Sequence, residues 1–125
     1  MFFRGKKHEE TFELELDYRP SYDNRYIAAL YLLTADTKLW YQVRDQFGTR
    51  AVNVGEMRPK RLSGEAYVFY MLARDILLGT KTVSITELAD RGLLSSKGFQ
   101  VLTVSLMIRG YGLKRAEELY VGGYF

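Results

Sequence analysis

Cysteine is absent from the 125 residues. That excludes disulfides, thiolate zinc sites and cysteine nucleophiles, and it accords with a reducing compartment. Histidine occurs once, at His8, so a metal site or a histidine-based triad must use that residue or do without imidazole. No apolar run approaches the roughly 20 residues of a bilayer-spanning helix; the longest, Ser63 to Leu78, is interrupted by Arg74-Asp75. No apolar stretch follows Arg4, Lys6 and Lys7 in the manner of a secretory leader. These absences predict a soluble, cytoplasmic protein that makes no membrane contact. Internal repeats and low-complexity segments are also missing, so residues 1–125 are expected to form a single domain.

What remains is ordinary globular material with one excess. Apolar residues make up 47% and charged residues 26%, a balance that argues against bulk disorder. A chain of this size can bury about two-thirds of its unfolded surface, enough for a core without covalent staples. The excess is aromatic: ten Tyr, seven Phe and one Trp must be buried or sit at an interface. The net charge of +3 permits nucleic-acid binding without arguing for it.

The periodicities predict an all-α, or nearly all-α, bundle of five or six short helices. Its most apolar segment, S-G-E-A-Y-V-F-Y-M-L-A-R-D-I-L-L at 63–78, is expected at the centre, capped by Ser63 and stopped by Gly79. Asp23 caps a helix at 24–34. Asp36 or Thr37 caps another over 38–47, with Leu39, Trp40, Val43 and Phe47 as its stripe. Ser84 and Glu87 have capping-box spacing. Two stretches fit both periods. In 7–18, Phe12 and Leu16 are spaced as on a helix, while Phe12, Leu14, Leu16 and Tyr18 alternate as on a strand; the reading is helix early and extended chain late. Residues 99–109 carry strand-forming Val, Thr and Ile, yet a serine cap, length and Gly110 favour helix. Arg50 to Val54 suits a short strand within an irregular 48–62, and the fold reading leaves room for one small β-hairpin. The tail 113–125 is expected to fray, because Lys114-Arg115 precede Glu117-Glu118, the less favourable order for the helix dipole. The expected core is Phe12, Leu16, Ile27, Leu30, Tyr31, Leu39, Trp40, Val43, Tyr67, Val68, Met71, Leu72, Ile76, Leu88, Leu102, Leu106 and Met107.

The chemical motifs fail one by one. His8-Glu9-Glu10 lacks the second histidine of a zinc-protease helix, since position 12 is Phe. Gly79-Thr80-Lys81-Thr82 follows a helix where a phosphate loop would open one. The paired carboxylates Glu9/Glu10, Glu13/Glu15 and Glu117/Glu118 lie in polar stretches that would not tune them for acid–base work. Ser95 and Ser96 have no histidine nearby in sequence and read as caps. Residues 85–106 have a helix-turn-helix outline with Lys97 and Gln100 as base-reaching candidates, but Phe99, Val101, Leu102 and Val104 make the second helix too apolar for recognition. No catalytic residue, metal or cofactor is expected, and the protein is read as not an enzyme.

Two surfaces are left as candidates. In 44–61 the five cations Arg44, Arg50, Arg58, Lys60 and Arg61 face only Asp45 and Glu56, a cluster suited to phosphate, with Trp40 or Tyr41 nearby to stack on a base. Tyr67 and Tyr70, three apart on the 63–78 helix, are candidates for a protein interface, where tyrosine and arginine are enriched.

F-F at 2–3, H-E-E-T-F at 8–12, R-Y-I-A-A-L-Y-L-L-T-A-D at 25–36, L-W at 39–40, S-G-E-A-Y-V-F-Y-M-L-A at 63–73 and L-M-I-R-G-Y-G at 106–112 together resemble a small family of uncharacterised proteins found mainly in Firmicutes, often on conjugative elements and prophages. The resemblance implies a compact, mostly helical accessory of a mobile element acting on host machinery, and brings no catalytic or ligand residues. The leading expectation is therefore a non-catalytic protein-binding accessory with an unknown protein partner or a second copy of itself. A nucleic-acid-binding protein using 44–61 is the alternative, and a small enzyme with a site assembled only in three dimensions the third.

Overall fold

The computed structural model describes residues 1–19, 23–49 and 51–120. Among them are seven α-helices and no strand: α1 Lys6–Tyr18, α2 Asn24–Thr34, α3 Thr37–Val43, α4 Gly64–Leu78, α5 Ile85–Leu88, α6 Ser96–Tyr111 and α7 Leu113–Tyr120. The all-α expectation holds. The caps read from sequence form as hydrogen bonds: Asp23 accepts from the Arg25 amide, Asp36 from Leu39, Ser63 from Ala66 and Ser95 from Gly98. The Ser84/Glu87 capping box is complete. Gly79 ends α4 in the left-handed region at φ 72°, which suits glycine because no Cβ opposes it.

The helix at the centre is α2, not α4. Every residue from Tyr26 to Ala35 is buried, and α1, α3, α4 and α6 all pack on it. The reason lies in side-chain type. No charge follows Arg25 in α2, and Ala28-Ala29 let neighbours approach closely. In α4 the stripe Tyr67, Met71, Arg74 and Leu78 faces outward, with Met71 half-buried and the others exposed.

Other expectations shift for equally local reasons. α1 stays helical to Tyr18. It lies against α2 by one face only, burying His8 and Phe12 while Leu14 and Tyr18 remain exposed. The 38–47 helix gives way after Val43 to a 3-10 turn, Arg44–Gln46. Phe47 instead enters the core between Tyr26 and Trp40, at centroid distances of 4.6 and 5.8 Å. The strand expected at 50–54 reduces to one bridge, Phe47 with Val52; a side chain at Gly48 would press on the Ala51 carbonyl, 2.8 Å from the Cβ position. Residues 99–109 are helical within α6. The tail from 113 forms α7, which buries Ala116 and ties Tyr120 Oη to Gln100 Oε1 at 3.0 Å; residues 121–125 lie outside the described residues. Of the expected core, Tyr67 and Leu106 are exposed and Leu16, Met71, Leu88 and Met107 half-buried.

Two buried polar groups lock the bundle. The Glu65 carboxylate, at the start of α4, pairs with Arg4 and accepts the Ser95 amide at 2.7 Å and the Ser95 hydroxyl at 2.8 Å. Burial pushes its pKa up, but the Ser95 hydrogen bonds and Arg4 outweigh burial and hold it below the usual carboxylate value. His8 joins α1 to the end of α2. Its Nδ1 accepts the Arg4 amide at 3.0 Å, so Nε2 carries the proton and donates to the Tyr31 carbonyl at 2.8 Å. That carbonyl is available because the Ala35 amide turns to Leu32 instead.

Candidate binding surface

The basic segment is a braced structure. After Met57, which is buried, the chain runs beside α3. Gln42 holds Lys60 from both sides: its Oε1 accepts the Lys60 amide at 2.7 Å and its Nε2 donates to the Lys60 carbonyl at 3.0 Å. Lys38 Nζ donates to the Arg61 carbonyl at 2.8 Å. Between these braces Arg61 adopts φ 57°, the one non-glycine among the described residues with positive φ. A left-handed conformation costs an L-residue roughly 1–2 kcal/mol, so the braces hold a conformation that an arginine would otherwise leave.

The chain then turns into α4, and the turn forms a groove. Pro59, Arg61, Leu62, Tyr67, Val68 and Leu93 line a cavity of about 410 Å³, with Glu87 also at its edge. Tyr67 stands half out of it at 51% exposure, which makes it both a wall and a contact surface. The two candidate sites read separately from sequence therefore share one surface through Arg61 and Tyr67.

The remaining candidates fall elsewhere or are already engaged. Tyr70 is buried, so it is no interface residue. Three residues past Tyr67 the helix has turned inward, and Tyr70 shares the face of Ala66 and Ala73. Arg44 is exposed with its guanidinium 4.1 Å from the Tyr41 ring centroid. Arg58 donates to the Gly55 and Met57 carbonyls at 2.5 and 2.8 Å. Arg50 lies outside the described residues. At the start of α6, Ser95 is held by Glu65 and Gln100 accepts the Tyr120 hydroxyl, while Lys97 is exposed.

One concavity has no counterpart in the sequence reading. Between α5, α6 and α7 lies an open groove of about 910 Å³ whose walls include Leu88, Leu94, Phe99, Thr103 and Tyr120. Phe99, one of the apolar residues of the 99–109 stretch, stands 49% exposed on this groove. Asp90 and Arg91 lie along the groove, and Ser95 and Ser96 have no imidazole there, because His8 is engaged with Tyr31. Among the described residues no three His, Asp or Glu side chains gather as a metal site would require. None of the described helices is long and apolar enough to cross a membrane. No protein-family model, no curated protein and no solved structure matches the chain.

Proposed function

We propose that the chain is a non-catalytic protein-binding accessory that engages its partner where Arg61 and Tyr67 line one groove. The observation that carries this reading is their juxtaposition: a strained, braced arginine and a half-exposed tyrosine at an apolar cavity. Arginine and tyrosine are among the side chains enriched where interface energy concentrates. Four of the eight described tyrosines, Tyr18, Tyr41, Tyr67 and Tyr111, are exposed, so tyrosine enrichment is not consumed by the core. Service to a mobile element belongs to this proposal through the sequence resemblance alone.

Nucleic-acid binding is the second reading, supported by Arg44 stacked on exposed Tyr41 beside the braced cations. The enzyme reading has less support: the Ser95 hydroxyl donates to the Glu65 carboxylate at 2.8 Å, but that carboxylate is already engaged by Arg4 and the Ser95 amide and held below the usual value, which makes it a weak base.

Affinity capture from the source cells, after nuclease treatment, tests the proposal. Wild type, Tyr67→Ala and Arg61→Ala serve as baits after melting curves have confirmed folding. A protein held by wild type and reduced about tenfold or more by each substitution is the expected result. Identical retention by all three would overturn the proposed site, and retention abolished by nuclease would favour the second reading.

A further inference from the structure

We infer that the segment bound in the Arg61–Tyr67 groove is a short acidic peptide, with Asp or Glu flanking one large apolar side chain. The inference rests on the protein-binding reading above and adds the chemistry of the partner.

The groove offers an apolar seat beside a positive edge. Leu62, Val68 and Leu93 supply the seat, with Tyr67 and Pro59 as its walls. Among the described residues two charged side chains line it, Arg61 and Glu87. Glu87 keeps its charge but is turned to its own helix cap, where its Oε1 accepts the Ser84 amide and the Ser84 hydroxyl, both at 3.1 Å. Among the described residues the Arg61 guanidinium makes no ion pair. Lys60 precedes it, and Lys38 reaches the Arg61 carbonyl. Arg61 is thus the cation lining the groove that has no carboxylate partner among the described residues, and an arginine takes a carboxylate in two parallel hydrogen bonds.

The backbone at Arg61 argues independently. Glycine would sit at φ 57° without steric cost. An arginine held there by Gln42 and Lys38 points to a need for its side chain, as strained residues cluster at sites of recognition. The extent of the positive edge decides between partners. A phosphate track needs cations in succession, but Arg58 is turned onto its own loop carbonyls and Arg44 lies on Tyr41. Among the described residues the cation lining this groove is Arg61, a local charge that matches a few carboxylates and not a track of phosphates.

Fluorescence anisotropy on the full chain tests this with three labelled probes: the peptide Glu-Asp-Glu-Leu-Tyr-Glu-Asp-Glu, its Gln/Asn counterpart, and a single-stranded oligo-dT. The acidic peptide is expected to bind and to weaken with added salt. The neutral peptide is expected to bind about tenfold more weakly or worse, and Arg61→Ala and Tyr67→Ala to weaken the acidic peptide by a similar factor, with Arg61→Lys in between. Failure of the acidic peptide to bind, equal binding of the neutral peptide, or indifference to Arg61→Ala would each overturn the inference. Tighter Arg61-dependent binding of oligo-dT would overturn it in favour of nucleic acid. If the acidic peptide fails while cellular capture still depends on Tyr67, the protein-binding reading stands and only the acidic partner is lost.

Discussion

The side-chain amide of Gln42 on α3 grips Lys60 at both its backbone amide, 2.7 Å, and its carbonyl, 3.0 Å. This pair converts an irregular segment into a fixed edge of the groove. Gln42→Ala should cost about 1 kcal/mol, the lower end for two exposed hydrogen bonds. Its clearer signature is local: the Lys60 amide should exchange with solvent faster while the amides of α2 keep their protection. Hydrogen exchange followed by NMR reads both, and unchanged Lys60 protection would show that the brace is idle.

Gly98 and Glu65 depend on one another. A Cβ at position 98 would overlap the Glu65 carboxylate. Gly98→Ala should therefore lose about 2–3 kcal/mol by overpacking. In a Glu65→Ala background, where the obstructing carboxylate is gone, the same change should cost little. Urea unfolding of the two single variants and the double variant gives the coupling, and simple additivity would contradict this account of the contact.

His8 makes folding sensitive to acid. Burial lowers its pKa from 6.5 to about 4, assisted by the Arg4 charge and opposed by the hydrogen bond to Tyr31. Between those values the unfolded chain binds a proton that the folded chain refuses. Stability from this group is thus complete above pH 6.5 and declines as pH falls towards 4, by up to about 3 kcal/mol. Urea unfolding across this window should slope steeply for wild type and much less for His8→Gln. Equal slopes would mean that His8 takes up its proton while folded.

The helices were legible because their determinants are local. Caps at Asp23, Asp36, Ser63, Ser84 and Ser95 and the stop at Gly79 act within a few residues, and a linear reading finds them. Which helix lies at the centre is not local. The run at 63–78 has the larger side chains, but enclosure depends on what packs around a helix, and the small Ala28-Ala29 of α2 admit neighbours on every side. Tyr70 was misplaced for a related reason: spacing puts it near Tyr67 on the cylinder but does not say where the buried face begins. The joining of Arg61 with Tyr67 depends on the turn at 59–62 and its brace to Gln42, eighteen residues earlier than Lys60. The wide groove beside Phe99 depends on how α5, α6 and α7 are placed around it, which a linear reading does not give.

The central claim is that Arg61 is kept in an unfavourable backbone conformation for the sake of its side chain. Arg61→Gly relieves the backbone and removes the side chain in one step. Urea unfolding should show Arg61→Gly more stable than wild type by about 0.5–1 kcal/mol, the steric relief less the extra entropy of glycine in the unfolded chain. Equal or lower stability would contradict the claim, because Arg61 would then be at ease where it stands.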